Sequence, residues 1–183
     1  MDAGKRTSTP RDYFCYATML QMNEQGYFPY TPPMTLLRGL RASIDMMNAE
    51  GLENVFKRHN RLASGVRAAV TAWGLKNCAV DRKWHSDTVT AIRVPNDIDA
   101  NNVIKTAYYK YGVSLGAGLG PLNGNVFRIG HLGWLNETMV LQALGGVEMA
   151  MRDAGIRFLP GCGVGAAIEK YTDTKAPMEL AAE

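Results

Sequence analysis

Residues 112–134, G-V-S-L-G-A-G-L-G-P-L-N-G-N-V-F-R-I-G-H-L-G-W, constrain this chain more than any other stretch. The run is glycine-dense and then passes into a short alternating segment, so it reads as strand, loop, strand. Side chains of a strand alternate between its two faces. Phe127, Ile129 and His131 therefore share one face, which suits a core, while Val126, Arg128 and Gly130 share the other. That second face presents a guanidinium with a glycine beside it, which leaves room for something to approach. A guanidinium is a rigid fork that meets a carboxylate with two parallel hydrogen bonds, so Arg128 is the leading candidate for recognising an acidic small molecule. The plain alternative is a strand arginine that reaches solvent or pairs with a local acid, as most charged residues do. The glycines fit neither G-x-G-x-x-G nor the P-loop pattern, and the run is not a nucleotide motif.

A second informative stretch is G-Y-F-P-Y-T-P-P, residues 26–33. Thr31 stands as an N-cap and Pro32 as the first helical residue, the expected start of a helix. Leu36, Leu40, Ile44 and Met47 then recur at helical spacing. A helix N-terminus favours phosphate, but two prolines remove two donors, so the hydroxyls of Tyr30 and Thr31 would have to contribute. Simple capping by Thr31 is the alternative.

The rest of the chain supplies the frame. Residues 12–22 read as a short helix or docked arm. After Gly51 a helix over 52–73 carries the stripe Leu52, Val55, Phe56, His59, Leu62, Val66, Val70 and Trp73, with Lys57, Arg58, Arg61 and Arg67 on its solvated side. His59, on the apolar side, reads as a packing histidine. Strands are expected at Cys78–Lys83 and Thr88–Val94, a helix at 99–110 closed by Gly112, a helix at 137–154 capped by Asn136 and ended by Gly155, and a short helix at 163–171. The tail after Tyr171 is polar and alanine-rich and reads as disordered. This order implies an α+β fold, with a small, mostly antiparallel sheet and helices packed on one face. The face bearing Arg128 is left without a cover from this chain, which is the mark of an interface.

Composition narrows the partners. The length of 183 residues, 46% hydrophobic and 20% charged, suits one domain with a real core. A formal net charge of +3 with scattered basic residues gives no nucleic-acid groove. The first residues lack the apolar core of a secretory signal, and no apolar run reaches the ~18 residues a membrane span needs. Cys15, Cys78 and Cys162 are odd in number and far apart, and His59, His85 and His131 are as dispersed. The pattern implies a reducing, cytoplasmic setting with no disulfide framework and no metal site.

The stretches G-Y-F-P-Y-T-P-P (26–33), L-L-R-G-L-R-A-S-I-D-M (36–46), E-G-L-E-N-V-F-K-R-H (50–59), L-G-A-G-L-G-P-L-N-G-N-V-F-R-I-G-H-L-G (115–133) and G-V-E-M-A-M (146–151) together resemble class V, fold type I, pyridoxal-phosphate aminotransferases of the serine–glyoxylate and alanine–glyoxylate group. They occur in family order across most of residues 12–171. The resemblance implies that the chain is the C-terminal part: residues 1–33 an arm from a missing large domain, 34–171 the small domain with its leading long helix, and 172–183 the tail. It implies transfer of an amino group from L-serine or L-alanine to glyoxylate, with the cofactor held mainly by the large domain or an upstream polypeptide, in a homodimer. Arg128 then binds the substrate carboxylate, and Thr31 and Tyr30 reach the cofactor phosphate across the dimer. Phe28 stands where alanine-specific relatives have a tyrosine, and Trp134 where serine–glyoxylate relatives often have an acid. Transamination needs the cofactor as electron sink and a lysine to hold it. None of Lys5, Lys57, Lys76, Lys83, Lys105, Lys110 or Lys170 sits in the family's lysine context, so no catalytic residue is expected in this chain, and alone it is expected to be inactive. The rival from another class is a stand-alone module that binds a small acid without chemistry.

Overall fold

A computed structural model describes residues 6–173 and divides the chain into two compact units, Met1–Glu50 and Gly51–Glu183. The first unit holds helices α1 (Tyr16–Glu24) and α2 (Met34–Glu50). Helix α2 begins beyond the Thr31–Pro32 start signal: Met34 N donates to Pro32 O at 2.8 Å, and Thr31 caps nothing. The cause is Pro33. A residue that precedes proline is disfavoured in the helical region, which works against a helix that starts at Pro32. The stripe Leu36, Leu40, Ile44 and Met47 lies on α2 as expected, yet each of the four is exposed.

The second unit contains α3 (Leu52–Ala72), β1 (Lys76–Asn77), β2 (Val89–Arg93), α4 (Ala100–Tyr111), β3 (Gly116–Ala117), β4 (Val126–Gly130), α5 (Glu137–Asp153) and α6 (Cys162–Thr172). The strands form one antiparallel sheet in the order β1-β2-β4-β3. Ile92 pairs with Phe127, and Thr90 with Ile129, so these four share a face. The core forms where Leu62 and Val66 of α3, Val103 and Ala107 of α4, and Leu144 and Val147 of α5 close over that face. The α+β architecture with helices on one side of the sheet is thus the one the element order implies.

Local signals account for most boundaries. Asp99 caps α4 by accepting from Asn101 N at 2.8 Å, and Gly112 closes it with φ of 67°. Asn136 Oδ1 accepts from Met139 N at 3.0 Å to cap α5. The strand expected at Cys78–Lys83 is displaced. Pairing covers Lys76–Asn77 and ends with Cys78 N donating to Ala91 O; Asp81 then accepts from Lys83 N at 3.0 Å and winds Arg82–Trp84 into a 3-10 turn. Helix α6 runs to Thr172, one residue into the expected tail, and residues 174–183 of that tail lie outside the described residues. Among the described residues no helix is long and apolar enough to cross a membrane, and no cluster of His, Cys, Asp or Glu could hold a metal ion.

Candidate functional site

Strand β4 places Phe127 and Ile129 in the core and turns Arg128 to the opposite face. His131, one residue past the strand, is buried with them and has both nitrogens engaged: Nδ1–H donates to Asp87 O at 3.0 Å, and Nε2 lies 2.9 Å from Thr90 Oγ1. Arg128 is half-buried. Its Nε donates to Ala117 O on the neighbouring strand at 3.0 Å, which fixes the plane of the guanidinium and leaves both terminal nitrogens without a partner among the described residues. Gly116 lies directly across from Arg128. A Cβ at Gly116 would stand 3.0 Å from Arg128 Nε, so the glycine provides the space in which the guanidinium lies. On the other side Ala91 is its partner, again small.

The same face carries more positive charge than the sequence suggested. Arg93 pairs with Val126 and is a diagonal neighbour of Arg128, and Lys76 stands directly opposite Arg93. Like charges facing each other across an antiparallel pair are unfavourable. No acid among the described residues pairs with Lys76, Arg93 or Arg128. The result is a diagonal row of three cations, none paired with an acid among the described residues, on the sheet face opposite the one on which α3, α4 and α5 of the second unit pack. Sequence reasoning missed Arg93 and Lys76, because their convergence with Arg128 depends on strand register.

The loop that follows β4 is held from α3. Arg58 donates to Gly133 O at 2.7 Å and lies over the Trp134 ring at 5.5 Å, while His59 Nε2 accepts from Gly133 N at 3.1 Å. His59 Nδ1–H in turn meets Val55 O at 2.7 Å, so this histidine has both nitrogens satisfied, as a packing residue should. The solvated face expected for α3 is corrected here. Arg61 bonds Glu137 Oε1 and Tyr171 O, each at 2.6 Å, and Arg67 pairs with Asp87 at 3.3 Å; with Arg58 these three tie the helix to neighbouring segments. Burial acts most strongly on the Glu137 carboxyl and upward, but the Arg61 bond, its own backbone N–H and the charges of Arg61 and Arg58 together hold it below its ordinary value.

Tyr30 and Thr31 lie in the first unit. They border an open hollow of about 670 Å³ with Tyr27, Phe28, Pro29 and Pro32. Thr31 is exposed. Tyr30 donates its hydroxyl to Asp12 Oδ1 at 2.6 Å and stacks on Tyr13 at 4.6 Å between ring centroids. That bond, the burial of the hydroxyl and the Asp12 charge raise the Tyr30 phenol above its ordinary value. The hollow therefore offers hydroxyl donors, of which Tyr30 is already engaged, and no cation.

The six lysines among the described residues, Lys57, Lys76, Lys83, Lys105, Lys110 and Lys170, are all exposed. A lysine that attacks an aldehyde needs a depressed pKa. Lys110 is instead raised by its bonds to Asp153 and Tyr111.

No protein-family model matches the chain. It is 57% identical over 162 residues to a serine–glyoxylate aminotransferase of Hyphomicrobium methylovorum, an alignment covering 88% of this chain and 40% of that protein. It is 49% identical over 176 residues to an L-aspartate–glyoxylate aminotransferase of Paracoccus denitrificans, covering 96% of this chain and 44% of that one. Among solved structures, the pyridoxamine–pyruvate aminotransferase of Mesorhizobium loti superposes with a TM-score of 0.76 at 34% identity, over 80% of this chain and 38% of that chain. The chain thus spans about 40% of the length of the curated relatives it matches.

Proposed function

The chain belongs to the class V aminotransferases and matches their C-terminal portion, and from that premise we propose that it forms the substrate-carboxylate side of an enzyme that moves an amino group from L-serine or L-alanine to glyoxylate. The observation that carries this reading is Arg128: a guanidinium held in one plane by Ala117 O, with its terminal nitrogens open and a glycine alongside. In this reading residues 1–33 are the arm of a large domain and 34–171 the small domain with its leading helices. The large domain, or a separate upstream polypeptide, joins this chain in a cytoplasmic homodimer.

Arg128 receives the carboxylate of the amino acid, or of the 2-oxo acid, through its two terminal nitrogens. Because Nε is tethered, the fork cannot rotate with its ligand, and the carboxylate plane fixes where the Cα–H bond points. That is a positioning role, and orientation of this kind contributes several kcal/mol in well-ordered sites. Pyridoxal phosphate, when bound, supplies the electron sink that no side chain provides. Thr31, exposed on its hollow, fits a hydrogen bond to the cofactor phosphate across the dimer. Tyr30 joins it only after leaving Asp12, and the phosphate charge must be balanced by cations outside this segment. The lysine that holds the cofactor comes from outside the chain.

A second reading of the donor follows from Arg93 and Lys76. A dicarboxylic donor such as L-aspartate would place its distal carboxylate on this pair while Arg128 holds the other. In the full-length enzyme, Arg128→Ala is expected to raise KM for every donor and for glyoxylate by two orders of magnitude or so, with cofactor absorbance intact. Unchanged KM would reject the role. Arg93→Gln separates the donors: a loss confined to aspartate supports the dicarboxylate reading, and equal rates reject it. The binding-module alternative is decided upstream, since an in-frame continuation encoding a cofactor lysine supports the enzyme.

A further inference from the structure

The outer edge of β2 is only partly covered. Strand β1 pairs with it at Ile92 and Arg93, and Cys78 N then donates to Ala91 O at 2.8 Å before the chain leaves the sheet. The backbone groups of successive strand residues point to opposite sides. Thr88 O accepts from His131 N and Val94 N donates to Asn125 O, so the even-numbered residues of this strand face β4, and Val89 and Ala91 face the outer edge. There the N–H and C=O of Val89 and the N–H of Ala91 have no partner among the described residues. Unpaired backbone groups of this kind are strong hydrogen-bonding sites.

These residues border a cavity of about 190 Å³ that lies between the strand edge and the loop joining β1 to β2. The loop is fixed around it. His85 Nε2–H donates to Ala79 O at 3.1 Å, and Arg67 reaches across from α3 to donate to Ser86 O at 3.2 Å. Arg67 is matched by Asp87, so the wall suits a neutral ligand better than an ion. Asn77 also lines the cavity, and its Oδ1 is the one buried side-chain oxygen or nitrogen without a hydrogen-bond partner among the described residues. The terminal torsion of an asparagine is broad, so a small turn of the amide brings that oxygen to a donor in the cavity.

A dry cavity of about 150 Å³ holds a benzene ring, so this one has room for a single ring with a short substituent. A C=O and the N–H two residues further along a strand edge are matched by a planar group that carries a donor and an acceptor side by side. A primary amide is the smallest neutral group that does so, and its second N–H is left over for another acceptor. Ala79, Val89 and Trp84 supply apolar wall for a ring.

We propose that this cavity binds a small aromatic carboxamide. Its NH2 donates to Val89 O and Asn77 Oδ1, its carbonyl accepts from Ala91 N–H, and its ring lies against Ala79 and Trp84. Arg128 is tethered toward β3, on the far side of β4 from the cavity, so this site is separate from the carboxylate site. The proposal does not depend on the aminotransferase reading.

The test is titration of the purified chain with benzamide, acetophenone and benzoate, followed by the Val89 and Ala91 amide signals in proton–nitrogen correlation spectra. Benzamide is expected to bind at millimolar concentration or below and to move the Ala91 amide proton downfield. Acetophenone has the same shape but no donor, and leaves Val89 O unpaired; it should bind about tenfold more weakly, and benzoate at least as weakly as that. Ala79→Leu fills the cavity and should abolish binding. Asn77→Leu removes an unpartnered buried oxygen, so its melting temperature should equal or exceed the parent's while benzamide affinity falls about tenfold. Benzamide that leaves both amide signals unmoved would show a cavity that holds water alone and would overturn the site. Acetophenone or benzoate binding as tightly as benzamide, or Ala79→Leu binding it as well as the parent, would overturn it too. Parent affinity in Asn77→Leu would overturn the role of Asn77.

Discussion

Trp73 donates its indole N–H to Glu148 Oε1 at 2.9 Å, and the same carboxylate accepts from the backbone of Gly161, Gly163 and Val164 at 2.6, 2.8 and 3.2 Å. Glu148 is buried on α5, so one carboxylate closes the N-terminus of α6 and fastens it to the end of α3. Gly163 is required there because a Cβ would run into the Trp73 indole. Removing the carboxylate strands several buried donors. Glu148→Ala is expected to destabilise the unit by about 3–5 kcal/mol, and Glu148→Gln, which keeps one acceptor, by about 1–2 kcal/mol. A urea titration should show the midpoint falling at constant slope; a Glu148→Ala midpoint equal to the parent's would refute the cap.

The His131 ring should make stability depend on pH. Burial is the main influence and pushes it below its ordinary 6.5, with smaller contributions from the charges of Arg67 and His59, against the opposing bond to Asp87. The folded value lies below the unfolded one, so the neutral ring stabilises the fold fully above pH 6.5, and this stabilisation is lost as pH falls below 6.5 toward the folded value. Unfolding measured from pH 8 to pH 5 should show that decline, and His131→Gln should flatten it. A variant that declines as steeply as the parent would assign the effect to another group.

Gly116 sets the room for Arg128. Gly116→Ala puts a methyl 3.0 Å from Nε and 3.2 Å from Cβ of that arginine, so the guanidinium must shift. In the full-length enzyme KM for glyoxylate should rise several-fold in Gly116→Ala and about tenfold or more in Gly116→Val, with kcat changing less. Thermal stability should stay close to that of the parent, because the strand is only two residues long and lies at the sheet edge. If KM stays level while stability falls, Gly116 serves the fold and not the site.

Gly65 is the point at which α6 meets α3. Tyr171 crosses it, nearly buried, and donates its hydroxyl to Leu62 O at 2.9 Å. A methyl at position 65 would overlap the tyrosine ring. Gly65→Ala should therefore cost about 1–3 kcal/mol, the usual range for overpacking, whereas a methyl at Gly145, which meets nothing within 4 Å, should not. Comparing the two melting temperatures tests this, since both substitutions raise helix propensity alike.

What the sequence makes legible is mostly local. The alternation of 126–131, the Asn136 cap and the Gly112 terminator depend on neighbours a few residues away, and the structure has each in place. Arg128 emerges at the right face for the same reason. Long-range partners are another matter. Glu148 sits inside an apolar helix pattern and nothing near it in the sequence marks its role, because its donors lie 13 to 16 residues ahead and 75 behind. Arg58, Arg61 and Arg67 read as solvated for the same reason, their partners being from 19 to 110 residues away. The misplaced strand at Cys78–Lys83 has a local cause: Asp81 captures Lys83 N and competes with sheet pairing. The early start expected for α2 neglects the effect of Pro33 on Pro32.

Helix α2 turns Leu36, Leu40, Ile44 and Met47 to water, each at least 39% exposed. Apolar area of this kind favours self-association over a lone, freely diffusing particle. Made in isolation, the polypeptide should therefore sediment as a concentration-dependent mixture or need mild detergent to stay in solution. Starting translation at Gly51 would delete the sticky stretch and leave the sheet and its helical cover intact.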